Sequence, residues 1–333
     1  MKHISGLLVI FVTLAACGAV AQAQQPGKIF RIGYLDVSTA PGSAGLVEVF
    51  RQELSKLGWI EGKNIAIEYR FAEQKSERLP ELAADLVRLK VDLIVVTSGP
   101  SALAAKKATT SIPIVMANAG DPVGEGLVAS LARPGGNVTG LSSMSFEVAT
   151  KRLEILKDAV PKLARVGLLR IDVLAGSVSI STDLQLKELG AAALALKLKL
   201  EEIRTQLDPK GLESAFQTAK QKQVGGIMTI STRRFFAERK RIVELAGKNR
   251  LPAIYFQKEF VDEGGLMSYA ADFDDLFRKA AHYVDKILKG TKPADLSVQQ
   301  ATKFEFVINL KAAKQIGLTL SPDLLARANK VIQ

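Results

Sequence analysis

Short apolar runs rich in β-branched residues alternate along this chain with longer stretches of helical period, the pattern of parallel strands buried beneath helices. In the first half these runs predict strands at 30–36, 64–71, 92–97, 114–118 and 138–141, with helices between them, for example at 44–57 and 77–89. The second half repeats the rhythm, with strands at 166–171, 197–204, 226–230, 253–256 and 266–268 and helices at 182–196, 209–221, 234–248 and 273–288. Gly290 follows the last helix, with Pro293 beyond it, a stop signal in the usual order.

The two halves also echo each other residue by residue. Arg31-Ile32-Gly33-Tyr34-Leu35 returns as Arg165-Val166-Gly167-Leu168-Leu169, and Leu54 to Gly58 as Leu186 to Gly190. Val91 to Ser98 is matched by Val224 to Ser231, Ile112-Pro113-Ile114 by Leu251-Pro252-Ala253, and Gly126-Leu127 by Gly265-Leu266. The expected fold class is therefore α/β: two doubly wound parallel-sheet lobes of one architecture, with a ligand cleft between them. No Gly/Ser-rich linker separates them, so short crossovers should join the lobes. The division expected is 28–143 for the first lobe, 144–270 for the second, and 271–333 for a crossover and C-terminal segment returning to the first.

The N-terminus changes the picture of where such a fold works. Met1-Lys2-His3 precedes an apolar run from Ile4 to Leu14 and then Ala21-Gln22-Ala23, which reads as a secretory signal over residues 1–23. The run is too short to span a bilayer, and no later segment is apolar for long enough, so an exported, soluble mature chain is expected; the periplasm is its expected location and a monomer its expected state. Leu14-Ala15-Ala16-Cys17 resembles the lipobox of bacterial lipoproteins, in which the cysteine is acylated; cleavage after Ala23 would instead discard Cys17. Either way the only cysteine of the 333 residues is unavailable for a disulfide or a thiolate site in the folded part. The formal charge is +11, but the basic residues are dispersed and export argues against nucleic acid as a partner.

Candidate chemistry narrows by elimination. Of two histidines, His3 lies in the leader and His282 within a helix, so neither a Ser-His-Asp triad nor a multi-histidine zinc site can be built. No Gly-x-Gly-x-x-Gly follows the first strand, and Gly58 to Lys63 has the wrong spacing for a phosphate loop, so no cofactor is expected. An enzyme would need a paired acid and base, for which Asp121 and Glu259 are the one nomination. What remains is a set of side chains just after the predicted strands, where open parallel sheets bind ligands. These are Ser38; Thr97, Ser98 and Ser101; Asn118 and Asp121; Ser143; and, in the second half, Thr232, Phe256, Tyr269 and Asp272. Thr97, Ser98 and Ser101 would hold a carboxylate at a helix N-terminus, Asn118 and Asp121 would orient an ammonium, and Phe256 and Tyr269 would cover an apolar group. Against this stand ordinary N-caps for the Ser and Thr residues, plain turn chemistry for Asn118 and Asp121, and core packing for the aromatics.

The stretch from Asn118 to Gly140, NAGDPVGEGLVASLARPGGNVTG, resembles the family of ABC-transporter substrate-binding proteins that includes tryptophan- and tyrosine-binding members. A second block, Lys289 to Leu296 followed by Lys303 to Lys311 and Ile316-Gly317-Leu318, is similar to that family's C-terminal ending. The resemblance implies a type I periplasmic-binding fold with three crossovers, closing on one ligand, and a permease and ATPase encoded elsewhere as partners. It carries Asn118, Asp121, the loop Thr97-Ser98-Gly99 and the segment Gly264 to Tyr269 to the cleft. Many relatives have an Asn-Pro turn after the first strand of the second lobe, where this chain has Ile171-Asp172-Val173-Leu174. A ligand-sensing subunit of a membrane receptor, without transport, is the alternative role.

Overall fold

The computed structural model describes residues 28–171 and 180–333, with side chains from 183 in the second span. The leader with Cys17, and the Asp172 loop, lie outside the described residues.

The first lobe begins β1 (Phe30–Asp36), α1 (Ala40–Lys56), β2 (Ile65–Phe71), α2 (Leu79–Arg88), β3 (Leu93–Val96), α3 (Gly99–Ala108), β4 (Ile114–Ala119) and β5 (Val138–Ser142). The second follows as α4 (Ser145–Ala159), β6 (Arg165–Ile171), α5 (Ile180–Ala195), β7 (Lys199–Thr205), α6 (Pro209–Gln221), β8 (Gly226–Thr229), α7 (Arg233–Ala237), α8 (Arg239–Lys248), β9 (Ala253–Tyr255), α9 (Glu259–Asp262) and β10 (Met267–Ala271). The chain ends with α10 (Phe273–Leu288), β11 (Gln299–Gln300), β12 (Phe304–Asn309), α11 (Leu310–Ile316), α12 (Pro322–Ala326) and β13 (Lys330–Ile332).

Two sheets result, ordered β2-β1-β3-β4-β5-β11 and β7-β6-β8-β9-β10-β12-β13. All pairs are parallel except β10 with β12. Both are doubly wound in the same sense, as the repeat predicts. The Val91–Ser98 and Val224–Ser231 match is in register, because Leu93 and Gly226 open β3 and β8. Two other matches are not: Gly58 follows the end of α1 whereas Gly190 lies inside α5, and Gly265-Leu266 abuts β10 whereas Gly126-Leu127 lies well before β5. The predicted helix at 234–248 is divided at Glu238 into α7 and α8.

The lobes are joined three times, at 142–145, 271–273 and 300–304. After the first crossover α4 packs on α5, β9 and β10; after the second, α10 returns to pack on α1, β4 and β5. Its buried Phe277, Ala280 and Val284 close the first-lobe core over Ile32, Val95 and Val115 with Phe50 and Leu54 of α1. A fully buried Phe such as Phe277 contributes roughly 2–3 kcal/mol relative to exposure. The C-terminal segment corrects the sequence reading: α10 and β11 belong to the first lobe, but 304–332 join the second sheet. The reason is edge completion, since β12 covers the open side of β10 and β13 then pairs with β12.

The crossovers are fastened to one another. Ala301 N donates to Ser142 O at 2.8 Å and Asp272 N to Lys303 O at 2.9 Å. Met144, at the first crossover, sits in the left-handed region with φ 53°, a conformation that costs a non-glycine residue about 1–3 kcal/mol and clusters in segments that switch.

Candidate ligand cleft

Strands β5 and β10 both run at their C-terminal ends into these crossovers, and the side chains there form the candidate site. A Cβ on Gly124 would come within 3.2 Å of Leu184 Cδ1, so the loop after β4 touches α5 across the gap.

In the first lobe Tyr34 is fully buried in an aromatic group with Phe50, Tyr69 and Phe71, yet its hydroxyl has no hydrogen-bond partner. Burial pushes the phenol well above its ordinary pKa; the Asp36 charge adds to this and the Arg233 charge, from the opposite lobe, opposes it. Asp36 itself is occupied, accepting from Ser43 Oγ at 2.5 Å and Ser38 N at 2.9 Å. Ser38 Oγ is reached by Gln74 Nε2 at 3.5 Å, while Gln74 Oε1 is buried and unpartnered. Glu73 and Gln74 both have positive φ, 53° and 64°, at the end of β2.

After β3, Thr97 is fully buried with its hydroxyl unpartnered. Ser98 and Ser101, in contrast, form a capping box on α3, with their hydroxyls 3.0 Å apart. The space in front of that helix is taken by the chain's own Glu125: a Cβ on Gly99 would lie 1.9 Å from Glu125 Oε2. A carboxylate does sit at this N-terminus, as helix electrostatics favour, but it is not a ligand's. The expected anion cradle at Ser98 and Ser101 is corrected accordingly.

The β4–β5 register shifts between Met116 and Ala119, and such a bulge re-aims side chains. Asn118 lies in it, with Oδ1 buried and unpartnered. Asp121 follows the turn reading instead: its Oδ1 accepts from Val123 N at 3.2 Å and Gly124 N at 3.0 Å. Ser143 Oγ is bonded to Ala119 O at 3.2 Å and Ser145 Oγ at 2.7 Å.

The second lobe supplies the cations. Arg152 of α4 is 2% exposed and donates to Tyr269 O at 3.2 Å and Ser231 Oγ at 2.8 Å. Among the described residues it has no acidic partner, and burial pulls its pKa down to about 9, which leaves it charged at neutral pH. It lines a cavity at the crossovers with Ser143, Ser231, Phe256, Ala270 and Phe273. Arg233, the first residue of α7, has both terminal nitrogens buried and without a hydrogen-bond partner. Gln257 is buried with Oε1 unpartnered, and burial raises the carboxyl of nearby Glu259. A second cavity is lined by Gln257, Glu259, Ser268, Phe273 and Glu305, among others.

Ser38, Thr97, Asn118, Ser143 and Phe256 thus stand at or just after the C-terminal ends of their strands, and of these Ser143 and Phe256 line a common cavity. Thr232 and Asp272 serve as N-caps, accepting from Phe235 N at 3.2 Å and Asp275 N at 2.9 Å. Tyr269 is stacked on Phe304 at 6.0 Å and edge-on to Phe306, and lines neither cavity. The corrections share a cause: caps and turns use the residue types that also bind ligands. Tyr34, Gln74, Arg152 and Arg233 escaped the sequence reading. For Arg233 a signal existed, since it follows the strand end Ile230-Ser231-Thr232; Arg152, deep in a helix, offered none. Among the described residues no group of three or more His, Cys, Asp or Glu is placed to hold a metal ion.

Residues 37–332 match the family model described as ABC transporter substrate binding protein. The chain belongs to that family. A relative described as a tyrosine-binding protein of Clostridioides difficile (strain R20291) is 30% identical over 280 residues, which is 82% of this chain and 77% of that one. Among solved structures, a conserved domain protein of Vibrio cholerae superposes with TM-score 0.83 at 28% identity, covering 91% of this chain and all of the other. The ABC domain of Streptococcus pneumonia in complex with L-Trp superposes with TM-score 0.81 at 26% identity, covering 92% of this chain and all of that one. The fold of this substrate-binding protein is that of the type I periplasmic binding proteins.

Proposed function

We propose that this protein is the extracytoplasmic capture subunit of an ABC importer, binding a small amino-acid-like solute of the tyrosine and tryptophan class by closing its lobes. The reading rests on one observation above others. Among the described residues, buried polar atoms without partners occur in both lobes, in or just after the strands: Tyr34 OH, Thr97 Oγ1 and Asn118 Oδ1 in the first, the Arg233 terminal nitrogens and Gln257 Oε1 in the second. Burying such groups unpaired costs about 1–3 kcal/mol each, and a ligand touching both lobes would satisfy them only when the lobes are together, which is the differential affinity that closure requires. The names of the relatives support the ligand class. The same reading makes the protein a binder without catalysis, an exported monomer that hands its ligand to a membrane permease and ATPase, tethered through Cys17 if the leader is cut before it.

Thermal unfolding of the processed protein against a panel of amino acids and small carboxylates tests this. A ligand at 100 times its Kd adds about 2.7 kcal/mol, which raises Tm by roughly 5–10 °C for lobes of this size. The aromatic amino acids should give the largest shift; no shift with any panel member, in protein refolded to strip carried-over ligand, rejects the ligand class. Uptake of the labelled hit by cells with and without the protein separates import from sensing.

A further inference from the structure

We infer that the ligand's carboxylate is gripped from the second lobe by Arg233, against the Tyr34 and Thr97 hydroxyls of the first, and not by the N-terminus of α3. This rests on the amino-acid reading above and specifies how the cleft recognises such a molecule.

Elimination leads there first. The α3 N-terminus, the natural anion seat of the first lobe, is filled by Glu125, whose Oε2 lies where a Gly99 side chain would begin. The other cleft guanidinium, Arg152, is committed to Tyr269 O and Ser231 Oγ. Lys258 is shared between Asp274 at 3.6 Å and Glu305 at 3.3 Å.

Arg233 differs from all of these. Its two terminal nitrogens are shielded from solvent and, among the described residues, have no hydrogen-bond partner. Phe236 holds one face of the guanidinium at 6.0 Å, and Glu259 senses its charge without forming an ion pair. The partner chemistry a planar, doubly donating guanidinium lacks is a carboxylate, which it binds in a bidentate fork. In the first lobe the buried Tyr34 hydroxyl is also unpartnered and senses the Arg233 charge, and Thr97, after the neighbouring strand β3, carries a second buried hydroxyl without a partner. A carboxylate between them would bond a cation of one lobe and hydroxyls of the other, so the ligand's negative charge becomes the link that holds the lobes shut.

The test is calorimetric titration of the wild type and R233Q with L-tyrosine and L-tryptophan, and with tyramine and tryptamine, which keep the ring and the amine but lack the carboxylate. The wild type should bind the acids at least 100-fold more tightly than the amines. R233Q should bind the acids roughly 100-fold more weakly and lose the preference for acid over amine, a readout that general loosening of the fold would not move selectively. R233K, retaining the charge but not the fork, should lie about 10-fold below wild type and keep the preference. Because the two terminal nitrogens have no hydrogen-bond partner to lose among the described residues, both variants should unfold within a few degrees of wild type without ligand. Amines that bind the wild type as well as the acids, or acid binding that R233Q leaves intact, overturn the Arg233 assignment alone. A wild type that binds neither acids nor amines overturns the amino-acid reading and this inference with it.

Discussion

The two lobes share one winding order and differ in what they place at the same strand end. After β3 the first lobe has Thr97-Ser98, and Ser98 is absorbed in the capping box of α3, with Glu125 closing the helix end. After β8 the matching position is Ile230-Ser231, and there Ser231 accepts from the buried Arg152 while its N–H donates to Gln185 at 3.0 Å. One lobe fills its helix N-terminus with its own Glu125; among the described residues the other keeps two guanidinium groups, Arg152 and Arg233, without acidic partners. Duplicated architecture therefore fixes where a cleft lies, while the polarity of its two walls is set by a few side chains that the duplication does not share.

The largest expected effect tests a difference within the sheets. Gly140 pairs with Met116 at φ 131°, and a Cβ there would lie 2.2 Å from Met116 O; the corresponding pair of the second lobe is Ser268 with Tyr255. Gly140→Ala should cost about 3 kcal/mol or more, read as a shift in denaturation midpoint. Ser268→Ala should cost well under half as much, and equal costs would mean that the β4 bulge imposes no special constraint.

Arg152→Met comes next and should stabilise the ligand-free protein by about 1–3 kcal/mol, since an apolar side chain replaces a buried charge without a counter-ion. The pH dependence fixes the cause. Because the folded pKa lies below that of the unfolded chain, the penalty is full below pH 9 and is relieved as pH rises above it. The stability gap between variant and wild type should therefore narrow above pH 9, and a constant gap would assign the effect to packing.

The Glu125 seat is tested by a double-mutant cycle. Gly99→Ala and Glu125→Ala should each cost about 1–2 kcal/mol, and together less than their sum, because removing the carboxylate removes the clash. Strict additivity would break the picture of a self-capped first lobe. The smallest effect lies at the crossovers, where Lys303 and Lys279 each reach Asp275 at 2.7 Å. Burial works against the Asp275 charge, but these two hydrogen bonds outweigh it and hold the carboxyl below its usual range. Its stabilisation is present above the ordinary carboxylate pKa and lost as pH falls through the folded one. Asp275→Asn should cost about 0.5–1 kcal/mol at pH 7 and nothing at pH 2, measured by chemical denaturation.

Much of this could be read from the chain. Parallel strands buried on both faces must be apolar runs, so β1 and the exposed-to-buried period of α10 were legible to the residue. The in-register echo of β3 by β8 announced two lobes of one design. The β12 and β13 strands were not legible, because an added antiparallel edge depends on which strand is left open after the crossovers. Among the candidate residues, Thr97 and Asn118 keep buried oxygens without partners, whereas Ser98, Ser101, Asp121, Thr232 and Asp272 are used in caps and turns, and sequence holds no mark that separates a cap from a contact.

Local chemistry thus determined by itself most of the strands and helices and the repeat of the two lobes, since each depends on near neighbours in the chain. Tertiary structure alone decided which polar groups are spent and which are not. Glu125 reaches Gly99 and Arg152 reaches Ser231 only because each lobe folds distant segments together, and Tyr34 senses the Arg233 charge only because the crossovers bring the two lobes together. Whether a buried donor has a partner is a property of that meeting, and no stretch of sequence contains it.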